Sequence, residues 1–156
     1  MLEAGAAAPA FELEDLNGGT RTLRDIAAGK PVLLAFFKVS CPTCQFTFPF
    51  LERMYRAGKG SVGVYAISQD DAASTSEFNQ EFGISMPTLL DRAERGYPAS
   101  NAYGLTHVPS LFLVEPDGRI SWTSNGFHKQ ELEELGRRTG VAPFKPSDYV
   151  PEWKSG

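Results

Sequence analysis

The sequence predicts an α/β domain with a central mixed sheet flanked by helices, and three observations carry that prediction. The run Val32-Leu33-Leu34-Ala35-Phe36-Phe37 follows Pro31 without polar alternation, the pattern of a strand covered on both faces. A second β-rich run, Val62 to Ile67, lies beyond a stretch of helical spacing, so the two strands and the helix between them form a parallel βαβ unit. Paired short runs near both ends, each broken by a turn signal, add antiparallel hairpins and make the sheet mixed.

The elements follow in order. Phe11–Leu16 and Thr20–Leu23 form the N-terminal hairpin, with Asn17-Gly18 suited to the positive φ angles of a type I′ turn. After the central strand, Phe46, Phe50 and Met54 recur at i, i+4, and Phe48, Leu51 and Tyr55 broaden the same face, which predicts a buried helix from Pro42 to about Ala57. Pro49 lies inside it and is expected to kink it, because it lacks an N–H and crowds the preceding turn. Ser74 and Glu77 have capping-box spacing, and Phe78, Phe82 and Gly83 complete a short crossover helix. Thr88-Leu89-Leu90 reads as a short strand and Tyr97–Tyr103, closed by Gly104, as a helix. Ser110–Val114 and Arg119–Thr123 flank Pro116-Asp117-Gly118 as a second hairpin. A last helix runs from about Lys129 to Arg138, with Leu132 and Leu135 inward and Gly140 just beyond. The whole of 1–156 reads as a single domain, and Val141 to Gly156 as its extended C-terminal tail, packed at most through Phe144, Tyr149 or Trp153.

Composition narrows the function. A chain of 156 residues, 42% hydrophobic and 22% charged, buries roughly 70% of its unfolded surface and needs no disulfide staples. Its longest apolar run, Val32 to Phe37, falls far short of the ~20 residues of a membrane span. Fifteen basic against nineteen acidic residues give a net charge of -4 with no basic stripe, so no nucleic-acid partner is expected. Met1 to Pro9 lacks the basic and apolar regions of a secretory signal, which points to the cytoplasm, or to the periplasm if a leader has been removed.

Cys41 and Cys44 are the only two cysteines, so neither a disulfide framework nor a four-cysteine zinc site can be built. A zinc set would also need His107 and His128, which lack the spacing of a finger, and no metal is expected. Cys41 stands where a buried strand turns into a helix, facing the unpaired N–H groups and partial positive charge of the helix N-terminus. It is therefore expected to be acidified and nucleophilic. Cys44, one turn further in, is expected to attack a mixed disulfide formed at Cys41. Pro42 stiffens the intervening turn, and this setting favours a redox pair over two buried small hydrophobes.

The succession of hairpin, Val32–Phe37, Cys41-Pro42-Thr43-Cys44, Pro49, inserted crossover and Val108-Pro109-Ser110 before a Pro-Asp-Gly hairpin resembles the redoxin (AhpC/TSA) branch of the thioredoxin superfamily. The resemblance implies a thioredoxin-like fold in which Pro109 is the cis-proline beside the active site and Pro49 the kink proline of its helix. It also implies that Val108 offers backbone groups to a substrate strand, with Pro42 and Thr43 on the same substrate-binding surface. Two nearby residues are candidates for tuning the thiols. They are His107, whose competing reading is an ordinary loop histidine, and Lys38, whose competing reading is a solvated strand-end lysine. Ala35 and Ser40 depart from the pattern, since many thioredoxins carry a buried Asp and a Trp there.

Three reactions fit. In the first, thiol-disulfide exchange, Cys41 and Cys44 reduce a disulfide-bearing protein or small thiol substrate and an external thiol reductant resets them, with no cofactor beyond their own disulfide. The monomer and the homodimer are both compatible with it. The second is peroxide reduction with Cys41 peroxidatic and Cys44 resolving, against which Lys38 and Leu34 stand where peroxiredoxins carry a hydroxyl residue and a proline. The third is a soft-metal carrier using the Cys pair and His107, ranked last because no methionine or second cysteine cluster lies nearby.

Overall fold

The structure, a computed structural model, describes residues 1–156. In chain order its elements are β1 (Glu12–Asp15), β2 (Thr20–Thr22), α1 (Leu23–Ile26), β3 (Val32–Phe37), α2 (Pro42–Gly58), β4 (Gly63–Ser68), α3 (Ala72–Phe82), β5 (Thr88–Leu90), α4 (Pro98–Ala102), β6 (Ser110–Val114), β7 (Ile120–Asn125), β8 (Phe127–His128), α5 (Lys129–Thr139) and β9 (Trp153–Lys154), with a 3₁₀ turn at Ala93–Arg95.

β3 is the strand on which the rest is assembled, and every one of its residues is buried. Strand alternation sends Leu33, Ala35 and Phe37 into one core and Val32, Leu34 and Phe36 into the other. β3 pairs in parallel with β4 and antiparallel with β6, and the seven-stranded sheet has the order β2-β1-β5-β4-β3-β6-β7. One face is covered by α2, α3 and α5 through Phe48, Leu51, Met54, Phe78, Leu132 and Leu135. The other is covered by α1 and α4 through Leu23, Ile26 and Ala99. Each such side chain taken out of water contributes about 1.5–3 kcal/mol, which is why the apolar face of each helix sets its seat on the sheet. The mixed sheet flanked by helices is the architecture the sequence predicts. No helix is long and apolar enough to cross a membrane.

Local chemistry corrects three details. The first hairpin does not place its positive φ angles on Asn17-Gly18. They fall on Gly18 and Gly19, and Gly18 N–H closes a turn on Asp15 O while Asp15 Oδ1 accepts the Asn17 N–H, so the carboxylate organises the turn that Asn17 was expected to make. The cap of α3 is Asp71, not Ser74: its carboxylate accepts the Ser74 N–H at 2.8 Å, and a charged cap complements the positive helix end better than a hydroxyl three residues later. The tail is more than an extended segment. Phe144 packs its ring 5.0 Å from Phe50, Tyr149 is exposed, and Trp153–Lys154 form β9 against β8. A two-residue strand has too short a period to show in sequence, and its partner is a neighbour only in space.

Candidate active site

The parallel pairing of β3 and β4 brings the C-terminal ends of both strands to one edge of the sheet, where ligand and catalytic groups of open α/β sheets collect. The loop from Lys38 to Ser40 leaves β3 there and is held by both backbone groups of Val39. Val39 N–H donates to Asp70 Oδ2 at 2.8 Å, and Gln45 Nε2 donates to Val39 O at 2.9 Å. Cys41 N–H closes back on Lys38 O at 3.2 Å. So fixed, Cys41 becomes the N-cap of α2, and its Sγ accepts the Cys44 N–H at 3.1 Å. The helix N-terminus therefore points an otherwise orphaned donor at sulfur, as the Cys-Pro-Thr-Cys spacing predicts.

The two thiols are chemically unlike. Cys41 is partly exposed, and hydrogen bonding from Cys44, side chain first and then backbone, with the Thr43 backbone, outweighs its burial and lowers its pKa to about 6. Cys44 is fully buried in the same core as Ala35, and loss of hydration pushes its thiol far up, with the hydrogen bond to Cys41 and the negative charge of Asp70 adding to the effect.

Across the site the Val108-Pro109 peptide is cis, as the resemblance implies, and Cys41 Sγ lies 3.5 Å from Val108 O. Pro109 is buried, Pro42 is exposed in the first turn of α2, and Thr43 is turned inward with its hydroxyl donating to Ser155 O. Lys38 and His107 are both exposed and share a small recess with Gln69, Leu105, Thr106 and Val108. His107 Nδ1 is 2.9 Å from Thr106 Oγ1, and neither His107 nor Lys38 is among the groups that lower the Cys41 pKa. No cluster of three or more His, Cys, Asp or Glu forms a metal cradle, so the carrier alternative is left with two thiols and no His107. Sequence reasoning missed Asp70, Gln45 and Ser155. Asp70 had a usable signal, standing just past the end of the strand parallel to β3.

The AhpC/TSA family model matches residues 4–123. Thiol-disulfide oxidoreductase ResA of Halalkalibacterium halodurans is 31% identical over 138 residues, which cover 86% of this chain and 76% of ResA. This chain belongs to the AhpC/TSA family. ResA of Geobacillus thermodenitrificans is similarly related, 30% identical over 138 residues that cover 84% of this AhpC/TSA chain and 77% of its own. Among solved structures, the thioredoxin domain of a thiol-disulfide oxidoreductase from Bacteroides vulgatus superposes with a TM-score of 0.78 at 24% identity, covering 88% of this chain and 98% of that one. A thiol:disulfide interchange protein from Bacteroides sp. does so with a TM-score of 0.78 at 24% identity, covering 90% and 93%. These likenesses establish the thioredoxin fold. The AhpC/TSA match ends within β7, so β8, α5 and β9 lie beyond it.

Proposed function

We infer that this AhpC/TSA member is a thiol-disulfide oxidoreductase in which Cys41 opens a substrate disulfide and Cys44 completes the exchange. The observation that carries the reading is the asymmetry of the pair: a partly exposed thiol lowered to about 6 beside a buried thiol pushed up. At pH 7 a group with that pKa is roughly nine-tenths thiolate, the attacking form. The Cys41 thiolate attacks one sulfur of the substrate, the substrate S–S bond breaks, and the departing thiolate takes up a proton. Cys44 then gives up its proton and attacks the Cys41 sulfur, expelling the second substrate thiol. Two electrons pass from the protein to the substrate, whose two thiols take one proton from Cys44 and one from solvent, and the Cys41–Cys44 disulfide remains. An external thiol reverses these steps to reset it. Thr43, Val108 and Pro109 border Cys41 and line the approach of the substrate, while Lys38 and His107 line the adjoining recess.

The ResA relatives carry the same activity in their names, which supports this reading over the peroxidase. The donors to Cys41 are Cys44 and the Thr43 backbone, with no guanidinium or hydroxyl among them to orient a peroxide. The reading predicts that the reduced protein reduces a model disulfide, that Cys41→Ser abolishes the reaction, and that Cys44→Ser accumulates a mixed disulfide visible by intact mass. Rapid peroxide turnover that survives loss of Cys44 would overturn it in favour of the peroxidase.

A further inference from the structure

Val108 precedes β6, so its peptide groups take no backbone partner from the sheet. An unpaired peptide beside a nucleophile is a template for an extended chain. In this protein that place is filled from within. β9 pairs with β8 in the register Phe127↔Lys154 and His128↔Trp153, and Lys129 N–H donates to Glu152 O at 3.0 Å. The chain then runs on to the site, where Ser155 O accepts the Thr43 hydroxyl. Gly156 lies so close to Val108 that a methyl group on it would come within 2.5 Å of Val108 O. A methyl on Gly126 would likewise meet Lys154 O at 2.9 Å, so both glycines are required for this close seat. On the way the segment covers the outer face of α2, with Lys154 Nζ 5.1 Å from the centre of the Phe46 ring. Phe46 in turn packs on Phe127 at 5.0 Å and Phe50 at 5.5 Å, an aromatic patch on α2 over which Lys154 lies.

We propose that Glu152–Gly156 is a strap that occupies the seat of an extended polypeptide between Thr43 and Val108 and thereby sets substrate choice. This rests on the dithiol reading above. A disulfide in an extended protein segment must displace the strap before it can lie along Val108 and reach the Phe46 patch. A small disulfide needs neither, because Cys41 is partly exposed with the strap in place. The hold is light: β9 is two residues long, both exposed, and the Lys129–Glu152 ion pair at 3.6 Å is at the surface.

The test compares three reduced chains: the full chain, one ending at Pro151, and full-length Lys154→Pro, which puts a residue without an N–H into the β8–β9 pair. Each is assayed on insulin disulfides and on oxidised glutathione. Release of the strap is expected to raise kcat/KM for insulin by about tenfold, the factor by which a seat free one-tenth of the time weakens apparent affinity. The glutathione rate should stay within about twofold. Equal changes on both substrates, or a fall confined to insulin, overturn the strap while leaving the dithiol chemistry intact. Failure of all three chains to reduce either disulfide overturns the dithiol reading and the strap with it.

Discussion

Cys41 and Cys44 are one residue type three positions apart, and their surroundings alone make one a nucleophile and the other a reserve. The helix N-terminus does this for Cys41, and because Pro42, Thr43 and Cys44 are contiguous with it, the effect was legible from spacing. Asp70 acts on the same pair from the loop that follows β4. It holds the Val39 peptide and its charge opposes ionisation of Cys44. Asp70→Asn keeps a carbonyl oxygen for Val39 N–H but removes the charge, so the Cys41 mixed disulfide is expected to resolve several-fold faster in rapid-mixing experiments. Slower resolution would instead identify Asp70 as the acceptor of the Cys44 proton. A single sequence ties Asp70 to Val39 only through the expected parallel pairing of β3 with β4, which brings the two together across 31 positions. Lys38 and His107 were candidates for the opposite reason: they are close in sequence to Cys41 and Pro109, yet the structure turns both to solvent.

Among the elements, α2 carries the reacting groups and is anchored by a buried carboxylate. Glu52 Oε1 accepts the N–H groups of Ser85 at 2.8 Å and Met86 at 2.9 Å, and Oε2 accepts from Arg56 Nε at 2.6 Å and from the Ser85 hydroxyl. Burial alone would raise its pKa, but the bonds from Ser85, Arg56 and Met86 win and hold it below the usual carboxylate range. Glu52→Ala leaves two backbone donors without their acceptor and is expected to cost about 3 kcal/mol in urea unfolding at pH 7. The sign of the pH effect follows from the lowered pKa. The Glu52 contribution is fully present above the unfolded carboxylate range and is lost as pH falls through the folded value, so wild type and variant should converge in acid. β3 and α2 were readable because their burial patterns are long and unambiguous. The cap of α3 was misplaced because Asp71 and Ser74 are both good caps at neighbouring positions, and only the backbone turn at Asp71 chooses between them.

At the scale of the molecule, two cores on opposite faces of the sheet hold the fold, and the residues past α5 add to it from outside. Arg53 fixes the first part of that segment through Pro143 O and Asp148, and β9 fixes the second. Since Glu152–Gly156 are exposed and place no side chain within either core, their removal is expected to lower Tm by less than about 4 °C. Phe48→Ala, which empties a fully buried site, should cost about 3–5 kcal/mol and lower Tm much further. A larger loss from the truncation than from Phe48→Ala would mean that the strap is part of the fold and not a cover on it. The course of this segment was the least legible part of the sequence, because its contacts are short, mostly backbone, and made with residues far away along the chain.

Polarisation of the dithiol is measured directly by the rate of alkylation at each cysteine of the reduced, full-length protein as a function of pH, resolved by peptide mass. Cys41 should react with a midpoint near its value of about 6 and then level off, while Cys44 stays unmodified through neutral pH. A Cys41 midpoint near the free-thiol value of about 8.5, or equal reaction at both positions, would mean that the dithiol is not polarised.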